Sequence, residues 1–140
     1  MKLFYAFLLS FFVLTIISAC KKQVEEAKED LVILAMTNGK WKISWFKENG
    51  VNTSDFDDYE FQYYSNYTVD ATKMATSATT RGNWGGNAST MTTSADFPLA
   101  AGNPLIKING TWKILRNSWT YVEAEQTNGT DVKTMRLDKK

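Results

Sequence analysis

The side chains able to do chemistry are few. The chain has no histidine and one cysteine, Cys20. Without histidine the commonest general base and the commonest metal ligand are missing. Ser-His and Cys-His nucleophile arrangements cannot be assembled either. No glycine-rich phosphate loop or zinc-ligand spacing occurs. Carboxylates remain. The acidic run Asp55-Phe56-Asp57-Asp58-Tyr59-Glu60 lacks the glycine and the distal glutamate of an EF-hand loop, so it reads as a solvated turn before a strand. A hydrolase built on paired carboxylates needs both at one mouth. Glu60 with Glu123 or Glu125 would be such a pairing. The expectation is therefore no catalytic residue, no metal ligand, no cofactor and no enzymatic activity. The aromatics offer more. Trp45, Tyr59, Phe61, Tyr63, Trp119 and Tyr121 fall on alternating positions. Rings lining a cavity, with a few polar tips, suit small apolar or amphipathic ligands. The same rings can equally fill a core.

Cys20 takes its meaning from what precedes it. Lys2 supplies one positive charge, Leu3 to Ile17 is apolar but for Tyr5, Ser10 and Thr15, and Ile17-Ser18-Ala19-Cys20 follows. A basic start, an apolar run and small residues before a cut are the parts of a secretory signal. The last four residues resemble the lipobox of bacterial lipoproteins. That resemblance implies a signal peptide over 1–19 and a diacylglyceryl thioether on Cys20, commonly joined by a further acyl chain such as palmitate. Several chains on one residue give the stable anchoring that a single chain does not. The alternative is an uncleaved span, since the run approaches the lower limit of roughly 17–25 residues. Lys21, rather than an aspartate, follows the cysteine. In the sorting systems of such lipoproteins this permits transfer to the outer membrane, on its periplasmic face or at the cell surface. A lipidated Cys20 leaves no free thiol in the mature chain, hence no disulfide. Without Lys2 the basic and acidic side chains balance, which argues against a nucleic-acid partner.

The elements that position these residues fall into two textures. Residues 20–37 are polar and rich in helix formers, then apolar from Leu31 to Met36. They read as the lipidated cysteine, a tether and a short helix over 23–36. From 38 to 140 the pairs Asn38-Gly39, Asn49-Gly50, Gly85-Gly86, Asn109-Gly110 and Asn128-Gly129 predict tight turns. Between them apolar and polar residues alternate, as in Trp41-Lys42-Ile43 and Met135-Arg136-Leu137, which predicts half-buried strands. About eight strands emerge, including 79–84, 89–93 and 111–115, with no room for crossover helices. The fold class is all-β: one domain over 38–140, an antiparallel up-and-down barrel, with a β-sandwich as the alternative. Gly-x-Trp recurs at Gly39-Lys40-Trp41, Gly82-Asn83-Trp84 and Gly110-Thr111-Trp112. Each reads as a turn feeding a strand whose first inward residue is a tryptophan.

A Gly-x-Trp opening the first strand just after a short helix resembles the first lipocalin motif. The whole arrangement, from lipobox and tether to the closing aliphatic-basic strand, resembles the small lipocalin-like domains of bacterial lipoproteins. The resemblance implies that Trp41 plugs the closed end of an eight-stranded barrel and that Arg136 packs across it. It also implies a small apolar or amphipathic ligand inside. Residues 38–140 are fewer than in a typical lipocalin, and the middle Thr-Asp-aromatic motif is echoed only by Thr130-Asp131-Val132. Both departures favour a barrel filled by its own side chains. Two functions stay open: a membrane-anchored carrier, or a filled, non-enzymatic module that presents its surface to a protein or glycan at the cell envelope.

Overall fold

Between residues 21 and 38 there is no glycine or proline, and the described chain, residues 21–140 of a computed structural model, opens with a helix over 21–37 (α1). The element is one continuous helix rather than a tether followed by a short one. It ends where the backbone turns at Gly39, whose φ of 103° suits a residue without Cβ. Its first half, 21–31, is exposed, while Val32, Ile33 and Met36 pack on the core. Among the described residues no helix is long and apolar enough to cross a membrane. The expected signal peptide and Cys20 lie outside the described residues.

Nine strands follow: β1 (Lys40–Glu48), β2 (Val51–Thr53), β3 (Tyr59–Tyr63), β4 (Thr68–Lys73), β5 (Ala78–Asn87), β6 (Thr92–Asp96), β7 (Gly110–Asn117), β8 (Tyr121–Asn128) and β9 (Asp131–Lys139). Every pairing is antiparallel, and from β3 to β9 each strand pairs with its neighbour in sequence. β1 then pairs with β9 over Trp41 to Glu48, and this closes an eight-stranded barrel. Pairing of first with last strand excludes the sandwich. β2 is the ninth strand, folded back on β1 through Asn49-Gly50, where both residues hold positive φ. It takes up the second half of β1, so β3 meets β1 only at Lys40 and Trp41.

The register gives the barrel two different ends. The turns at 64–67, 88–91 and 118–120 lie at the end where α1 runs into β1. The turns at 49–50, 74–77 and 129–130, together with the long 97–109 connection, lie at the other. We call these the helix end and the loop end. The 97–109 connection carries two 3-10 turns, Leu99–Ala101 and Leu105–Ile108. Phe97, Leu105 and Ile108 from this connection are buried across the loop end.

One expected turn and one expected strand moved. Gly85-Gly86 sits inside β5, not in a turn, and the strand read at 89–93 begins at Thr92, after the turn at 88–91. β5 tolerates two adjacent glycines there because other groups approach it closely. A Cβ on Gly86 would lie 3.2 Å from Val32 of α1, and one on Gly85 would lie 2.9 Å from the Ser94 hydroxyl.

Candidate functional site

A cavity of about 80 Å³ runs inside the barrel from α1 toward the loop end. Val32, Ala35 and Met36 cover it from α1, and Asn117 and Ser118 at the end of β7 lie on its rim. Trp41, Trp84 and Trp112 line it, with Val69, Ile114, Met135 and Leu137 among the aliphatics. The three tryptophans are those of the three Gly-x-Trp repeats. Each is the first inward ring after its glycine, as expected, although Gly82 lies within a strand and not in a turn.

The indole groups present no free donor to this space. Trp41 Nε1 donates to the Met36 carbonyl at 2.8 Å, Trp84 Nε1 to the Tyr64 carbonyl at 2.9 Å and Trp112 Nε1 to the Ile108 carbonyl at 2.8 Å. Each bond ties a cavity wall to an end of the barrel: Met36 belongs to α1, Tyr64 to a helix-end turn and Ile108 to the loop-end connection. Tyr63 is different. It lines the cavity with its ring edge-on to Trp84 at 5.4 Å. Burial pushes its phenol pKa far above the usual value, so it is a neutral donor at any physiological pH. Its hydroxyl has no hydrogen-bond partner among the described residues, whereas every fully buried polar side-chain atom among them has one.

The six candidate rings separate cleanly. Tyr59, Phe61 and Tyr63 share the inward face of β3. Only Tyr63 reaches the cavity, because Tyr59 and Phe61 belong to a ring cluster with Phe46 and Phe56 that fills the barrel beside the β1–β3 seam. Trp45 lies on the outer wall. A bulge in β1 between Ile43 and Trp45 shifts the alternation by one residue, so Phe46 points inward and Trp45 outward, with the Lys47 ammonium 5.0 Å from its ring centre. Tyr121 also faces out, because its strand buries Val122 and Ala124. Trp119 is not in a strand. It sits in the 118–120 turn at the helix end and is 55% exposed.

Arg136 does not pack on Trp41. Its neighbours Met135 and Leu137 point inward, so it points outward and stacks over Tyr121 at 4.3 Å. Lys139, two residues beyond Leu137 on the inward phase, covers Trp41 instead, at 5.3 Å. The barrel-end basic residue expected of Arg136 is thus supplied by Lys139.

Of the carboxylates named for a hydrolase, Glu60 and Glu123 are held in ion pairs on the outer wall, and Glu125 lies two residues beyond Glu123 on β8, opposite Lys113 of β7. Glu60 accepts from Lys140 at 2.6 Å and Lys40 at 2.5 Å, and these cations hold its pKa below the ordinary value. Glu123 is held down in the same way by Arg116 and Arg136. A raised pKa is what a general acid needs, and both shifts run the other way. The two also sit on strands three places apart around the wall, roughly 14 Å at the usual strand spacing. Paired carboxylates work at roughly 5–9.5 Å. Among the described residues no group of three acidic, cysteine or histidine side chains is placed to hold a metal ion.

No family model matches the chain, and no curated protein matches it in sequence. Solved structures do match in shape. A lipocalin-like protein from Bacteroides uniformis superposes with a TM-score of 0.53 at 13% identity, over 74% of this chain and 98% of its own. A DUF4847 family protein from Bacteroides vulgatus gives a TM-score of 0.55 at 10% identity, over 76% and 96%. At these identities the likeness concerns the fold: the chain has a lipocalin-like β-barrel.

Proposed function

We propose that the chain is a non-enzymatic lipoprotein, anchored to a bacterial envelope membrane through Cys20, whose barrel takes a small apolar or amphipathic molecule. The lipobox and Lys21 favour the outer membrane as its location. The observation that carries the ligand is the cavity itself. Its walls are almost wholly apolar, three capped indoles line it, and the Tyr63 ring stands edge-on to one of them. An engineered apolar cavity of roughly 150 Å³ takes benzene. About 80 Å³ therefore suits a short chain or, once α1 shifts, one ring with a polar tip. Ordinary pockets for drug-sized ligands are roughly 300–1,000 Å³, so the cargo is small.

That same modest volume, with Trp119 exposed at the rim, favours a second reading: a nearly filled barrel that offers its surface to a protein or glycan. Native mass spectrometry of the protein purified from its own host separates the two. The carrier reading expects a bound small molecule, lost in Ile114→Trp, which fills the cavity, and kept in Trp45→Ala, which lies outside it. A bare mass, with no shift in Tm across a panel of small apolar compounds, leaves only the surface reading.

A further inference from the structure

The exposed apolar side chains of the molecule are unevenly placed. Of the eleven large ones exposed among the described residues, only Val51, Met74 and Leu99 lie at the loop end. The rest lie on α1 or at the helix end. On α1, Val24, Leu31 and Leu34 are each more than half exposed, and with Ala27 they recur at intervals of three, four and three. At 3.6 residues per turn these share one side of the helix. Val32 and Met36, which pack on the barrel, share a different side. One apolar face of α1 is therefore used, and a second is left open.

The turns at the same end carry no charge. They read Tyr64-Ser65-Asn66-Tyr67, Ala88-Ser89-Thr90-Met91 and Ser118-Trp119-Thr120. Tyr67, Met91 and Trp119 are exposed there, as is Leu115 close by on β7. The loop end is charged: Asp55, Asp57 and Asp58 lie in the chain between β2 and β3, Lys107 in the 97–109 connection and Asp131 at the start of β9. Tryptophan and tyrosine favour the boundary between water and hydrocarbon. An amphipathic helix lies in that boundary with its apolar side down.

We infer that the helix end of the barrel rests on the lipid surface, with α1 lying between barrel and membrane. The inference rests on the reading of Cys20 as the lipidated residue. Lys21, the next residue, opens the described part of α1, and Leu31 follows about 15 Å further along the helix. An anchor so close holds this end of the domain near the headgroups. α1 carries Lys21, Lys22 and Lys28 against Glu25, Glu26, Glu29 and Asp30, so its contact with lipid rests on the apolar stripe and not on attraction to anionic headgroups. The cavity is covered by the same helix, so its cargo enters from the membrane side.

The test uses the full lipidated chain in vesicles of phosphatidylethanolamine and phosphatidylglycerol. With Cys20 blocked by lipid, an introduced cysteine is the only free thiol. An environment-sensitive fluorophore is placed at Met91→Cys or Leu115→Cys, and in control samples at Val51→Cys or Leu99→Cys. Brominated lipids are expected to quench the first two and leave the controls unchanged. Leu31→Glu with Leu34→Glu is expected to abolish that quenching while the chain still sediments with the vesicles. Equal quenching at both ends, or none at the helix end, overturns the inference and leaves the anchor standing. Labels shielded from aqueous iodide but untouched by brominated lipid mean a protein covers this face, which also overturns it. An N-terminal peptide mass without lipid on Cys20 shows instead that the anchor reading has failed, and the inference falls with it.

Discussion

The two ends of the barrel are closed by different means. At the loop end the seal is part of the wall. The 97–109 connection runs from β6 to β7, and Phe97, Leu105 and Ile108 are all but fully buried. Asn109 holds it shut: its side chain accepts from the Phe97 amide at 2.7 Å and donates to the Phe97 carbonyl at 2.8 Å. Gln126 donates to the Asn109 carbonyl from β8, and Lys107 pairs with Glu48 and Asp55. At the helix end the cover is a separate element. Among the described residues one side-chain hydrogen bond, from Trp41 to the Met36 carbonyl, ties it to the barrel, and the rest is contact by Val32, Ile33 and Met36. A seal bonded at many points opens only with the fold. One held by a single bond and a few aliphatics opens on its own. The difference makes the loop end a base and α1 a lid.

The largest test of that contrast removes one side chain from each closure. Trp112 is fully buried and joins the cavity wall to Ile108. Trp112→Ala should cost about 3–5 kcal/mol, read from urea denaturation, because the void cannot collapse against a closed base. Met36 is also buried. Met36→Ala should nonetheless cost only about 1 kcal/mol, because the helix that carries it can settle or lift without unfolding the sheet. Equal losses would mean that α1 is as integral as the base, and the lid would be refuted.

A smaller effect is expected at Gly82, midway along β5 and against Phe97 of the loop-end connection. A Cβ there would meet the Phe97 ring at 2.7 Å and the Asp96 carbonyl at 2.8 Å. The oxygen is backbone of the paired strand, so it cannot swing away. Gly82→Ala should lower stability by about 1–3 kcal/mol through overpacking. A neutral outcome in the same denaturation assay would show that the base yields more than its bonding suggests.

Much of this was legible in the sequence, for reasons that can be named. Turn pairs and period-two alternation located most strands, because Asn-Gly and half-buried pleats leave local marks, but their spacing left barrel and sandwich open until the pairing of β1 with β9 closed the sheet. The three Gly-x-Trp repeats pointed at the three tryptophans that line the cavity. Trp45 was misplaced because a bulge is a non-local event: one extra residue relative to β9 reverses the side, and nothing within β1 announces it. Arg136 and Lys139 exchanged roles for a related reason, since only the register shows which basic residue falls on the inward phase. The contribution of α1 to the site was missed because its apolar residues carry two faces. Val32, Ala35 and Met36 resemble Leu31 and Leu34 in composition, and only packing tells them apart.

Acid should act on the wall and base. Asp55 is held below its ordinary 3.8 by Lys107, Asp70 by Arg81, Asp138 by Arg136, and Glu60 below its ordinary 4.5 by Lys140 and Lys40. A carboxylate whose folded pKa is lowered adds stability that is complete above its unfolded value. That stability is lost as pH falls through the folded value. Tm should therefore hold steady near neutrality and decline from about pH 5 downward. Lys107, held above 10.5 by Asp55 and Glu48, adds stability below that value and loses it in strong alkali. Asp55→Asn should flatten part of the acid decline. An unchanged acid profile in that variant would remove the Lys107 clamp from the account of the base.

The smallest expected effect falls on the lid. Gly86 lies on the same strand as Gly82, four residues nearer the helix end. A Cβ there would come 3.2 Å from a Val32 methyl and 3.8 Å from the Trp84 ring. Its backbone φ is not in the left-handed region, so alanine meets no conformational strain. The contrast with Gly82 lies in what must yield: a carbonyl fixed in the β5–β6 ladder there, a side chain on a separate helix here. A shift of a few tenths of an ångström by α1 relieves the contact. Gly86→Ala should therefore change global stability by less than about 0.5 kcal/mol, the range of an ordinary surface substitution. It should still loosen the helix. Amides of α1 should exchange with solvent faster than in the parent chain while those of β7 and β8 stay unchanged, because the methyl pushes on the lid and not on the sheet. Slower exchange in α1 would mean that the methyl fills a gap and tightens the lid. Faster exchange spread through β7 and β8 would mean that helix and barrel open as one body, and the distinction between lid and base would be lost.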